Sequence, residues 1–205
     1  MTKKKEMDIV FLLDKSGSMH GIEEDTIGGY NSYIKSNKDN NVKVTTILFN
    51  TNYEVYNRRV DIKSVKEMTK DNYKVSGCTA LLDAIGKSID YMEECKAKKV
   101  MFVITTDGLE NSSRKYTKEQ IKDKIQKHKD WEFVYIGADI DSYSEAASIG
   151  ISRTNTSNYK KDKKGVDNLF SSVCKASNLY YEDEVIDSSW KQDLEDYIQD
   201  NEDKI

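Results

Sequence analysis

Three oxygen-bearing side chains stand at alternate positions just after the first apolar run of the chain, in Asp14-Lys15-Ser16-Gly17-Ser18. A carboxylate and two hydroxyls at i, i+2 and i+4 of a tight turn can point at one centre, and Gly17 is expected to let the backbone bend between the serines. Two further residues of the same chemistry follow later punctuation. Thr79 comes after the Gly77 turn and opens a helix-like segment, and Asp107 with Gly108 ends a second apolar run. Hydroxyls and carboxylates without histidine or thiolate form a hard donor set, which suits Mg²⁺, Mn²⁺ or Ca²⁺ and disfavours zinc.

The elements that must carry these residues alternate. Residues 9–13 are a continuous apolar run, as expected of a strand buried on both faces. In an open α/β sheet, loops leaving the carboxyl ends of such strands gather where ligands bind. Residues 20–37 carry Ile22, Ile27, Tyr30 and Ile34 at helical spacing despite the weakening pair Gly28-Gly29, and Tyr30, Asn31 and Tyr33 read as packing. Val42–Phe49 is a β-branched run. Residues 53–62 suit an edge strand joined to it by a hairpin through Asn50-Thr51-Asn52. Residues 64–69 read as one or two helical turns. Leu81, Leu82, Ile85, Ile89 and Met92 share one helix face, 99–106 is the second buried strand, and 116–129 is a charged amphipathic helix. Residues 133–136 form a further strand, 142–149 a short helix, 152–156 an edge strand, 159–164 a solvated basic loop and 166–179 another helix. The order β-α-β-β-α-β-α-β predicts an α/β fold. Its sheet is doubly wound and mostly parallel, with one antiparallel edge strand and helices on both faces.

The final residues, 182–205, are densely acidic, yet Ile186, Trp190, Leu194 and Ile198 recur every four positions. They read as an amphipathic helix docked on a domain spanning 1–181. A second use for it is to offer a carboxylate to the metal site of a neighbouring copy.

Composition excludes several classes. With 205 residues the chain holds one well-buried domain, and 33% charged against 37% hydrophobic residues describes a folded, highly soluble protein. A net charge of −4 argues against a nucleic-acid partner, and no apolar stretch approaches the length needed to span a membrane. Three cysteines at unrelated spacings suggest neither disulfides nor a zinc cluster, which points to the cytoplasm. Met1 to Glu6 is basic, but the following apolar run is only a strand long and ends in Asp14, unlike a secretory signal. The abundance of Lys, Asn, Ile and Tyr hints at an AT-rich bacterial or phage genome.

Taken together, Asp14-Lys15-Ser16-Gly17-Ser18, Gly77-Cys78-Thr79 and Thr106-Asp107-Gly108 resemble the von Willebrand factor A family. Its metal-ion-dependent adhesion site has the pattern D-x-S-x-S, a threonine on a second loop and a T-D-G loop. The resemblance covers residues 7–178 in the family's order of elements. It implies that Ser16, Ser18 and Thr79 bind Mg²⁺ directly, with Asp14 and Asp107 acting directly or through water. It also implies that a Glu or Asp of a partner protein completes the coordination. The residues themselves offer no nucleophile and base for catalysis, and the module is expected to be a monomer. Related domains serve as regulatory subunits of ATPases in chelatase-like or stress-response assemblies, which is the alternative reading. A metal-assisted hydrolase is a further one.

Simpler roles compete at each motif. Ser16 and Ser18 could cap the helix that follows, Thr79 could be an N-cap, and Asp107-Gly108 an ordinary turn. His20 near Ser18 is reminiscent of a serine hydrolase, but no G-x-S-x-G is present and His128 falls on a polar helix. Cys78 is expected to be a small residue packed beneath the site.

Overall fold

Eight consecutive residues, Met7–Asp14, form strand β1, and every one of them is buried. Alternate side chains leave by opposite faces. Met7, Ile9, Phe11 and Leu13 enter one core, while Val10 and Leu12 enter the other, so the run shows no polar alternation. The computed structural model describes residues 6–202; the basic residues 1–5, weighed against a secretory signal, lie outside them.

The described strands are β1, β2 (Val42–Phe49), β3 (Tyr53–Asp61), β4 (Val100–Thr106), β5 (Glu132–Gly137) and β6 (Thr156–Asn158), in the spatial order β3-β2-β1-β4-β5-β6. All neighbours are parallel except β3, which returns antiparallel to β2 through the Asn50 hairpin. The helices are α1 (Glu23–Ser36), α2 (Leu81–Glu94), α3 (Lys118–Lys127), α4 (Ser142–Ser148), α5 (Lys163–Tyr181) and α6 (Gln192–Glu202). Apolar faces of α1 and α5 cover one side of the sheet, and those of α2, α3 and α4 cover the other. This is the doubly wound, mostly parallel α/β sheet with one antiparallel edge strand. None of the described helices is long and apolar enough to cross a membrane.

The winding places a crevice. From β1 the chain moves outward through β2 and β3, then returns to β4 on the other side of β1 and continues to β5 and β6. Strand order therefore reverses between β1 and β4, and their loops diverge at the carboxyl edge, where open α/β sheets bind ligands.

Gly29, which looked like a weak point of α1, lies at a close helix crossing. A Cβ there would come 2.1 Å from Phe170 Cδ2 on α5. Tyr30 and Tyr33 pack edge-on against Phe11, and Asn31 Nδ2 donates to the Met68 carbonyl at 2.9 Å.

Four local expectations are corrected. The helical turn expected at 64–69 forms earlier, as a 3-10 turn at Ile62–Ser64, because the Asp61 carboxylate accepts the Lys63 N–H and caps it. The edge strand expected at 152–156 is instead Thr156–Asn158. The preceding residues form a turn, in which the Asn155 N–H reaches the Ser152 carbonyl at 3.1 Å. The segment 159–164 is not simply solvated: Tyr159 is buried, and Asp162 caps α5 by accepting the Gly165 N–H at 2.8 Å. The apolar stripe from Ile186 to Ile198 is not one helix but a 3-10 turn, Ser188–Lys191, followed by α6.

Ile186, Trp190 and Leu194 nevertheless enter the same core as α1 and α5. Trp190 Nε1 donates to the Thr154 carbonyl at 3.0 Å. Lys191, only 3% exposed, donates to the carbonyls of Arg153 and Thr156 at 3.0 and 2.8 Å and faces Glu195 Oε1 at 3.0 Å. The outermost strand thus has carbonyl oxygens beside it satisfied by a paired ammonium, one way a sheet edge is kept from pairing elsewhere.

Candidate metal centre

Asp14 ends β1 with its side chain fully enclosed. Ser16 N–H donates to its Oδ1 at 2.7 Å, the local closure that aspartate favours in turns, and Thr106 Oγ1 donates to its Oδ2 at 2.6 Å. The backbone is pinned on both sides: Lys15 N–H reaches the Phe49 carbonyl at 2.7 Å, and Ser76 N–H reaches the Lys15 carbonyl at 2.8 Å. Tyr73 adds a hydroxyl donor to the Asp14 carbonyl. A 3-10 turn, Gly17–Met19, then folds the loop back and brings Ser18 Oγ to 3.0 Å from Ser16 Oγ.

Gly17 does not supply the expected freedom, since its φ is not positive; its N–H instead bonds the Gly77 carbonyl at 3.0 Å. The unusual backbone belongs to Gly77, with φ +73°, where a Cβ would also come 2.9 Å from Thr51 Oγ1. Nor do the hydroxyls act as caps. Ser16 precedes the 3-10 turn without a side-chain cap bond, α1 starts after Ile22, and α2 starts after Ala80, one residue beyond Thr79.

Thr79 is held by Asn111, whose Oδ1 accepts the Thr79 N–H at 2.9 Å while its own N–H donates to the Thr79 carbonyl at 3.1 Å. The loop that carries Asn111 is fastened to the start of α2. Glu110 accepts the Leu82 N–H at 2.9 Å, and Asp83 accepts the N–H groups of Lys115 and Tyr116 at 2.8 and 3.0 Å. Both carboxylates sit where a helix N-terminus favours negative charge.

Asp107 leaves the end of β4, and its Oδ1 accepts from Ser18 Oγ at 2.5 Å. Beside it, a methyl on Gly108 would stand 3.0 Å from Thr79 Oγ1 and 3.1 Å from Ser18 Oγ, so both hydroxyls line the same small space. All five residues singled out by spacing are thus brought together: Ser16, Ser18, Thr79 and Asp107 by direct proximity, and Asp14 through Ser16 and Thr106.

Burial pushes the Asp14 carboxyl up to about 6, against the pull of hydrogen bonds from Thr106 and Ser16, and the nearby Asp107 charge adds to the rise. An enclosed carboxylate of this kind gains from an added cation. Among the described residues no group of three or more His, Cys, Asp or Glu side chains could hold a metal. Any ion here would rest on three hydroxyls and two carboxylates, a set that fits a hard ion of the Mg²⁺ class.

A cation already stands there. Lys161 Nζ lies 2.8 Å from Asp107 Oδ2, as an ion pair outside hydrogen-bond alignment, and donates to the Ser18 carbonyl. In the sequence this lysine belongs to the basic stretch 159–164, expected to be solvated. Its neighbours are also engaged, with Lys160 and Lys164 over the ring of Tyr197 at 6.0 and 4.6 Å. Thr106 and Asn111 were likewise missed as positioning residues. Thr106 was legible within T-D-G, whereas Asn111 left no local signal.

The competing features fall elsewhere. Cys78 is exposed rather than packed beneath the site. His20 Nδ1 pairs with Glu23 Oε1 at 2.8 Å, and His128 stacks on Trp131 just before β5 begins, at the opposite sheet edge.

No family model matches the chain, and no curated protein matches it. Solved structures do. Proximal thread matrix protein 1 from the mussel byssus is similar at 17% identity and a TM-score of 0.62, over 83% of this chain and 45% of that one. Its form with a zinc-occupied metal-ion-dependent adhesion motif aligns at 16% identity and a TM-score of 0.58, over 85% and 46%. The PilB minor pilin from Streptococcus sanguinis aligns at 12% and 0.67, over 89% and 63%. The von Willebrand factor domain of the type V pili tip protein Mfa5 from Porphyromonas gingivalis aligns at 9% and 0.64, over 86% and 96%. The chain therefore spans under half of the mussel protein and under two thirds of the pilin, but nearly all of the Mfa5 domain. At these identities the likeness shows the fold, which is that of von Willebrand factor A domains.

Proposed function

We propose that this protein is a metal-ion-dependent protein-binding module without catalytic activity. The convergence of Ser16, Ser18, Thr79 and Asp107 at the switch point between β1 and β4, with Asp14 enclosed behind them, is the observation that carries this reading. In it the three hydroxyls are direct ligands of Mg²⁺, or of Mn²⁺ or Ca²⁺, and the two aspartates act directly or through water. A hard ion so held keeps uncompensated positive charge and open coordination, which attract an external carboxylate. The partner is thus a protein that presents a Glu or Asp. Structural neighbours that include a minor pilin and a pilus tip protein favour binding over turnover.

Among the described residues no histidine stands beside the hydroxyls. Ser18 is engaged with Ser16 and Asp107, and the nearest histidine in the sequence, His20, is turned to Glu23. The free cysteines support cytoplasmic residence, and a monomer is part of the same reading.

Affinity capture from a lysate of the source organism, with Mg²⁺ or with chelator, tests the proposal. A partner retained only with Mg²⁺ and lost by Asp14→Ala is expected. The same partners under chelator and on the variant would overturn it.

A further inference from the structure

We infer that Lys161 is an internal cation that competes with the metal for Asp107 and so weakens ion binding. The inference rests on the metal-binding reading above. Asp107 has two carboxylate oxygens, of which Oδ1 already accepts from Ser18 Oγ and Oδ2 faces the Lys161 ammonium at 2.8 Å. That ammonium also bonds the Ser18 carbonyl. It therefore touches two of the loops that a bound ion would join, and it neutralises the carboxylate that accepts from Ser18.

The segment that delivers this lysine is held at both sides. Before it, Tyr159 is buried with its hydroxyl directed at Met19 Sδ, 3.9 Å away. After it, Asp162 accepts the Gly165 N–H at 2.8 Å and the Tyr197 hydroxyl at 3.1 Å. The turn is tight enough that a Cβ on Gly165 would come 1.9 Å from the Lys160 carbonyl oxygen. The Lys161 side chain differs from its setting, being 24% exposed on a flexible four-carbon stem. A fixed backbone thus presents a charge that can swing out.

Electrostatics then decides the outcome. A divalent ion and an ammonium cannot share Asp107 at contact distance without strong repulsion, which the low dielectric of a site shielded from water strengthens. Ion entry requires the lysine to leave. The apparent dissociation constant is then the intrinsic one divided by the fraction of time the lysine is away.

Calorimetric titration of the full chain with MgCl₂ and MnCl₂ tests this, comparing wild type, Lys161→Gln and Lys161→Arg. Melting curves in chelator check that each protein is folded. Loss of the charge is expected to tighten ion binding about tenfold, the penalty of a competitor in place nine-tenths of the time, while Lys161→Arg stays near wild type. Equal or weaker binding by Lys161→Gln would overturn the inference and leave the metal reading intact. Absence of binding in all three proteins would overturn the metal reading itself.

Discussion

Thr106 Oγ1 lies 2.6 Å from Asp14 Oδ2, joining the ends of adjacent strands β4 and β1 through a carboxylate that solvent does not reach. This bond and the one from Ser16 N–H only partly offset desolvation, which is the dominant cause of the raised Asp14 pKa of about 6.

The sign of the resulting pH dependence is fixed. The folded state holds the Asp14 proton more tightly than the unfolded chain, whose carboxyl titrates near 3.8. The stabilisation is thus present at low pH and is lost as pH rises through the folded value. Two pH units at about 1.4 kcal/mol each amount to roughly 3 kcal/mol between pH 4 and pH 7 in the metal-free protein. Denaturant unfolding in chelator should show this decline in wild type and not in Asp14→Asn. A constant difference between the two proteins across that range would refute it.

Metal should act in the opposite direction at neutral pH. On the reading of an ion held by Ser16, Ser18 and Thr79, saturation with Mg²⁺ at a hundred times the dissociation constant stabilises by about 2.7 kcal/mol. The melting temperature of wild type should rise accordingly. Asp14→Ala and Thr79→Ala should respond far less, and equal shifts in all three proteins would place the ion elsewhere.

Gly29→Ala tests the crossing of α1 and α5. Intrinsic helix preference alone would stabilise this change by about 1 kcal/mol. The added methyl would stand 2.1 Å from Phe170 Cδ2, and overpacking of that kind costs about 1–3 kcal/mol. Destabilisation measured by urea titration is the expected result, whereas a gain in stability would show that Phe170 moves aside freely.

Trp190→Ala should cost about 3–5 kcal/mol, because a fully enclosed indole packed in the main core leaves a cavity and the Thr154 carbonyl loses its donor. Light scattering should report an unchanged mass. A change in mass with little loss of stability would instead favour the use of the acidic segment between copies.

Much of this protein was legible in the chain itself. The apolar stretches within 9–13 and 99–106 mark strands covered on both faces, and the β-branched run before Asn50 marks a strand with a hairpin partner after it, whereas its parallel pairing with β1 left no local signal. Burial on a regular element imposes a period on neighbouring residues, so the signal is local and survives without coordinates. The same holds for Asp14, Ser16 and Ser18, whose convergence is set by one turn.

Tertiary structure decided what depends on partners far away in sequence. Asn111 positions Thr79 only because α2 and the loop after β4 meet, and Gly29 acquires its meaning from Phe170 on another helix. The edge strand slipped from 152–156 to Thr156–Asn158, where it pairs with β5 and is flanked by Lys191 and Trp190. Lys161 is the sharpest case. A lysine in a basic run looks the same whether it points to water or to an aspartate 54 positions away, because its direction is set by the anchoring of Tyr159 and Asp162 and not by any period in its neighbours.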